Sequence, residues 1–179
     1  LRNREISLSS KDVDLIARAA KFAKEKHEGV FRKNSKEPYF THPERVANLV
    51  RSFGGDAAQI AAAYLHDVPE DTDVEISEIK NKFGRDVAHL VIWMTNRCDH
   101  LHGNRRLRKK LERGFIKHAP DRVKTIKVCD VLDNTADLES HDPDFRDLYL
   151  SEKRELFKES LKGADSEALE LLRIRLFGE

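Results

Sequence analysis

His66 and Asp67 stand side by side at the end of the apolar run Ala61-Ala62-Ala63-Tyr64-Leu65, and Glu70, Asp71 and Asp73 follow closely. An imidazole beside a carboxylate is a donor pair for a divalent metal, and further acids next to it suit activation of a water molecule. A plain structural helix end has no need of such a cluster. The pair alone is not sufficient, so the reading depends on donors elsewhere in the chain.

Two other segments supply them. Residues 121–138 carry Val123, Ile126, Val128, Val131, Leu132 and Leu138 almost all round a helix, the pattern of a buried element. Lys127, Asp130, Asn134 and Asp137 nevertheless form one polar stripe on it, at spacings of 3, 4 and 3. A polar stripe on a buried helix must meet partners, water or a ligand. It reads either as a salt-bridge seam with Lys127 paired to an acid, or as Asp130 reaching a metal and Asn134 a substrate. The third segment holds His42, which alone reads as a capping or surface residue. Taken with His66, Asp67 and Asp130 it completes a set of two imidazoles and two carboxylates. Such a set suits Mn²⁺, Fe²⁺ or Zn²⁺ better than Mg²⁺.

The elements that must position these residues are helices. Ser9-Ser10-Lys11-Asp12 reads as a cap with an acid in the first turn, followed by Val13, Ile16, Ala17 and Ala20 at helical spacing. His27 follows that helix, where a charge interaction with the helix end or a role in orienting the next loop would explain it. Residues 28–41 read as a loop, and His42-Pro43 opens a second helix that ends at Gly54-Gly55. Asp56 caps a third helix, which Pro69 cannot continue, so Glu70 and Asp71 are expected in a loop. Short helices over 75–83 and 85–95, a polar loop with His100 and His102, and a basic helix over about 105–118 follow. Two last helices, 146–162 and 165–177, are expected to complete the bundle or to form a homodimer surface. Phe22 and Trp93 are expected in the core. The whole predicts an all-α, single-domain helical bundle over 1–179, with its core over about 12–140 and closing helices over 141–177.

Composition narrows the function. Lys+Arg is 33 and Asp+Glu is 32, a net charge of +1, which argues against a nucleic-acid binder and leaves room for a local basic pocket. The two cysteines, Cys98 and Cys129, lack CxxC spacing and form no disulfide framework, so a reducing, cytoplasmic setting is expected. No apolar run reaches membrane-spanning length, and the N-terminus has no signal-peptide pattern.

The order His42, then His66-Asp67, then Asp130 resembles the HD-domain metal-dependent phosphohydrolases. The resemblance is closest to the hydrolase domain of the Rel/Spo family, which degrades the alarmone (p)ppGpp. Pro38-Tyr39-Phe40-Thr41-His42-Pro43, Leu65-His66-Asp67-Val68-Pro69-Glu70-Asp71-Thr72-Asp73, Phe83-Gly84 and Lys127-Val128-Cys129-Asp130 carry it, over about residues 12–140. It implies that His42, His66, Asp67 and Asp130 bind one metal ion, usually Mn²⁺. By the same resemblance Glu70 and Asp71 orient and deprotonate the attacking water. Arg32 and Lys33 would hold the base and phosphates, and Asn134 the nucleoside. Arg105, with Arg108 and Lys109, would neutralise the remaining phosphates. Val131 and Asp133-Asn134-Thr135 depart from the long Rel/Spo enzymes and look more like the stand-alone small alarmone hydrolases. Only about 40 residues follow the matched region, which favours the same comparison.

The expected reaction is metal-dependent hydrolysis of the 3′-pyrophosphate of (p)ppGpp to GDP or GTP and pyrophosphate. The alternatives are another HD-type nucleotide phosphohydrolase, acting on the 2′-phosphate of NADPH or on deoxynucleotides, and a non-catalytic alarmone-binding module. A purely structural bundle would require four ligand matches by coincidence.

Overall fold

The computed structural model describes residues 7–32, 36–95, 103–136, 138 and 141–178. Regular structure there is helical, in agreement with the all-α expectation; pairing of strand type is limited, among the described residues, to an isolated bridge between Phe31 and Pro38. The chain divides into two compact units, Leu1–Thr95 and Asn96–Glu179. The first holds α1 (Ser10–Lys26), α2 (Thr41–Ser52), α3 (Ala57–Leu65), α4 (Val68–Asp71), α5 (Ile76–Phe83) and α6 (Arg85–Met94). The second holds α7 (Arg105–Lys117), α8 (Asp121–Asn134), α9 (Pro143–Ser160) and α10 (Ser166–Phe177).

In the first unit α3 is the central element. It packs against α1, α2 and α6, and Ile60, Ala61, Ala62, Ala63 and Leu65 have no solvent exposure. Alanine is a strong helix former, and its short side chain lets three neighbours approach at once. Asp56 and Gln59 close a capping box at its start, Gln59 N–H donating to Asp56 Oδ1 at 2.9 Å and Asp56 N–H to Gln59 Oε1 at 3.1 Å. That places His66 at the far end, as the C-cap of the most buried helix in the unit.

Pro69 has a different consequence from the expected loop. It sits in the first turn of a new helix, α4, where its missing N–H costs nothing, so Glu70 and Asp71 stand on a helical turn. Thr72 Oγ1 closes that turn by donating to Val68 O at 2.6 Å. The described residues of the 28–41 segment are also held by more bonds than a plain loop. Tyr39 N–H donates to Val30 O at 2.8 Å, Arg32 N–H to Glu37 O at 2.9 Å, and Glu37 holds Arg45 of α2 at 2.7 Å.

In the second unit α8 is buried nearly all round, as its composition predicts. It ends at Asn134 rather than at 138, because the Thr135 hydroxyl turns back to Val131 O at 2.8 Å and Leu132 O at 3.1 Å. α9 packs against α7 and α10, and starts at Pro143 behind the Asp142 cap. Phe22 and Trp93, expected in the core, are only half-buried. Phe22 lies over the edge of the core, meeting buried Phe83 edge-on at 5.4 Å, and the Trp93 indole N–H donates to exposed His89 Nε2 at 3.2 Å.

Candidate metal centre and active site

His42 enters from the first turn of α2 and His66 from the end of α3, and both are buried. Their rings lie edge to face at 5.3 Å. Asp67, the next residue, turns one carboxylate oxygen to each: Oδ2 is 3.5 Å from His42 Nε2, and Oδ1 is 3.2 Å from His66 Nε2. One ligand atom from each of the three residues falls within 4.8 Å of the other two. Donors bound at right angles to one ion at about 2.1 Å lie roughly 3 Å apart, close to these separations.

The chemistry of the donors fits a cation. His66 Nδ1 lies 2.7 Å from Ala63 O, and a carbonyl oxygen only accepts, so Nδ1 carries the hydrogen. The Nε2 lone pair therefore faces the Asp67 carboxylate. Two electron-rich atoms meet in a buried site at a cost unless a cation or a proton lies between them. The backbone carbonyl that fixes the His66 ring is the usual second partner of a metal-bound imidazole.

Asp67 has a second support. Tyr39 Oη donates to Asp67 Oδ2 at 2.6 Å. Burial, together with the neighbouring Asp67 carboxylate, drives the Tyr39 phenol far above its usual pKa, so it remains a donor. Sequence reasoning quoted Tyr39 within its motif and gave it no role; its place three residues before His42 was the available signal.

Glu70 and Asp71 are exposed on α4, one turn past His66 and Asp67, where solvent water reaches them. His27, beside Asp71, holds the Asp71 carboxyl below its usual pKa; partial burial opposes this and Tyr39 adds to it.

Asp130 and Asn134 lie on α8 in the second unit. Asp130 is buried, accepts a hydrogen bond from Asn134 Nδ2 at 2.6 Å, and has Lys127 Nζ at 3.0 Å from its other oxygen. Lys127 also approaches Glu112 of α7 at 3.4 Å. The stripe thus does contain the salt-bridge seam, with Asp130 itself as Lys127's acid. Burial works against the Lys127 charge, and Asp130 and Glu112 more than restore it. Burial likewise tends to raise the Glu112 carboxyl, but Lys127, Lys153 and Lys109 outweigh it and hold Glu112 at about 2. Lys153 of α9 is pushed down to about 8 by burial, with Lys127 adding to the effect. Its ammonium lies 4.7 Å from the centre of the Tyr149 ring. Glu112 and Lys153 were missed in the sequence. A lysine one turn before Leu156, on the face that α9 buries, was the signal for the latter.

The expected phosphate contacts are distributed unevenly. Arg32 is half-buried at the strand-like edge of the 28–41 segment, while Lys33 lies outside the described residues, as do His100, His102, Cys98 and Asp137. Arg105 is held by both oxygens of Glu152, at 2.7 and 3.0 Å, Arg108 by Gly103 O at 2.6 Å, and Lys109 by Glu112 at 2.6 Å. A phosphate would have to replace Glu152 to engage Arg105.

Comparison with known proteins identifies the family. The model of the HD domain family matches residues 19–159, a span that includes residues of both units. The chain is 38% identical over 138 residues to the guanosine-3′,5′-bis(diphosphate) 3′-pyrophosphohydrolase MESH1 of Xenopus tropicalis, covering 75% of each. It is 38% identical over 146 residues to a probable guanosine-3′,5′-bis(diphosphate) 3′-pyrophosphohydrolase of Synechocystis, covering 80% of this chain and 19% of that protein. The chain thus spans about a fifth of one relative and three quarters of the other. Among solved structures, a metazoan SpoT orthologue that hydrolyses ppGpp superposes with a TM-score of 0.80 at 27% identity, over 96% of both chains. With its family match over residues 19–159 and its likeness to MESH1, this chain belongs to the HD-domain family, in the branch that includes guanosine-3′,5′-bis(diphosphate) 3′-pyrophosphohydrolases.

Proposed function

We propose that the protein hydrolyses the 3′-pyrophosphate of ppGpp and pppGpp, releasing pyrophosphate and GDP or GTP, with Mn²⁺ as its ion. The observation that carries the reading is the His42–His66–Asp67 cluster, in a chain whose relatives are named for this reaction. His42, His66 and Asp67 hold the ion; the Lys127-Val128-Cys129-Asp130 resemblance adds Asp130 as fourth ligand. Residues 1–179 act as one HD hydrolase domain, as the span of the family match suggests.

The bound ion supplies a Lewis acid for a phosphate oxygen and lowers the pKa of a water. The chain's own residues do the rest. Asp71, held as a carboxylate, is a base for that water, and Glu70 beside it orients the attack. Water gives a proton to Asp71 as its oxygen adds to the phosphorus on the 3′ oxygen; the bond from that phosphorus to the 3′ oxygen breaks, the 3′ oxygen takes a proton to become the hydroxyl of GDP or GTP, and pyrophosphate departs carrying the water's oxygen. Arg32 and Lys33 steady the base and phosphates, Asn134 the nucleoside, and Arg105 a phosphate once Glu152 releases it.

One assay tests the reading: metal-loaded protein is offered ppGpp, NADPH and deoxynucleoside monophosphates in Mn²⁺, and the products are identified. Pyrophosphate from ppGpp is expected. Orthophosphate from ppGpp, or turnover of NADPH with ppGpp untouched, would refute it.

A further inference from the structure

Behind Asp71 stands a histidine that no role in metal binding explains. His27, at the C-cap of α1, has a side chain with 0% exposure. Its Nδ1 lies 2.9 Å from Ala23 O, so Nδ1 carries a hydrogen and the ring is fixed to the end of its own helix. Its Nε2 is buried and makes no hydrogen bond among the described residues. That atom is aimed at Asp71 Oδ2, 3.7 Å away, just beyond hydrogen-bond reach. The Tyr39 ring packs against the imidazole at 4.9 Å and blocks its other side. The two partners differ in freedom: His27 is immobilised, whereas the Asp71 side chain is 42% exposed on a four-residue helix.

We propose that His27 is a positioning residue for Asp71: a fixed, buried nitrogen that draws the mobile carboxylate into the orientation in which it meets the attacking water. The inference rests on the reading that Asp71 handles that water. An exposed carboxylate samples several rotamers, and holding one of them removes an entropic cost from the barrier. With Nδ1–H committed to Ala23, Nε2 and the carboxylate can close on one another through a single shared proton, whichever of them carries it. A rotation of Asp71 that shortens the gap by a few tenths of an ångström suffices to make that bond. The orphaned Nε2 is then satisfied and Asp71 is locked.

The test compares His27→Leu, His27→Gln, Asp71→Asn and the double variant His27→Leu/Asp71→Asn, each Mn²⁺-loaded, by kcat, KM, metal content and thermal midpoint with ppGpp. His27→Leu is expected to lower kcat about 10- to 100-fold, the usual effect of removing a second partner, with KM and metal content unchanged. His27→Gln, whose amide can stand near the Nε2 position, is expected to recover most of that loss. In the Asp71→Asn background His27→Leu should cost nothing further, because the two act as one unit. The proposal is overturned if His27→Leu costs as much in that background as alone, if the loss appears in KM or metal content, or if Gln rescues no better than Leu. Should His27→Leu fail to fold, His27→Asn, whose short amide can still donate to Ala23 O but cannot reach Asp71, replaces it in the same cycle. Full activity in Asp71→Asn would instead remove the underlying reading, an outcome distinct from additivity of two impaired variants.

Discussion

Asp67 is the residue on which most of the site's geometry converges: each oxygen faces a histidine and Oδ2 also accepts from Tyr39 at 2.6 Å. A carboxylate restrained at both ends cannot swing away from an ion, which is why the residue behind it matters as much as the ligands. Tyr39→Phe keeps the ring packing against His27 and His42 and removes only the hydroxyl. It is expected to weaken Mn²⁺ binding about tenfold with little change in fold, measured by metal titration calorimetry on chelator-stripped protein. Binding as tight as in the parent would mean the hydroxyl does not orient Asp67.

At the scale of elements, the candidate site residues of the first unit are carried by helix ends and short turns, and α3 is what makes this possible. Its buried alanines anchor three neighbouring helices, so the His66-Asp67 end is rigid while α4 beyond it is short and exposed. In the second unit the Lys127–Glu112–Lys153 group joins α7, α8 and α9 through buried charge, and this has a pH consequence. The Glu112 carboxyl lies at about 2 in the fold against its ordinary 4.5. A lowered value means the stabilisation is complete above pH 4.5 and is lost as the pH falls through 2. The shift corresponds to about 3 kcal/mol. The urea midpoint of the parent should therefore fall between pH 4.5 and 2. Glu112→Gln should start lower at pH 7, with uncompensated lysines around it, and fall less steeply over that window. Parallel curves for parent and variant would show that Glu112 is not the group responsible.

For the whole molecule, ion binding must appear as stability, because the unfolded chain has no such site. At a hundredfold excess over Kd the gain is about 2.7 kcal/mol, or roughly 5–10 °C in Tm for a chain of this size. Chelator should reverse the shift, and His66→Ala should abolish it; loss of the shift in Asp130→Asn would support the fourth ligand. Among the described residues no helix is long and apolar enough to cross a membrane. The donor residues were legible without coordinates because metal chemistry restricts residue types: His42, His66, Asp67, Glu70 and Asp71 are few, polar and adjacent to helix ends marked by Pro43 and Pro69. The helical class was legible because apolar periodicity is local, and α8 announced its burial in the same way. Proline's effect was only half legible. It forbids continuing α3, but whether a loop or a new turn follows depends on what the next residues bond to, and Thr72 supplied the turn. Tertiary structure alone decided the partners. That Lys127 also meets Glu112 of α7, that Tyr39 reaches 28 residues along the chain to Asp67, and that His27 points at Asp71 are contacts between segments distant in sequence. No local propensity encodes them; the last two exist because the end of α1, the start of α2 and α4 are brought to the same end of α3.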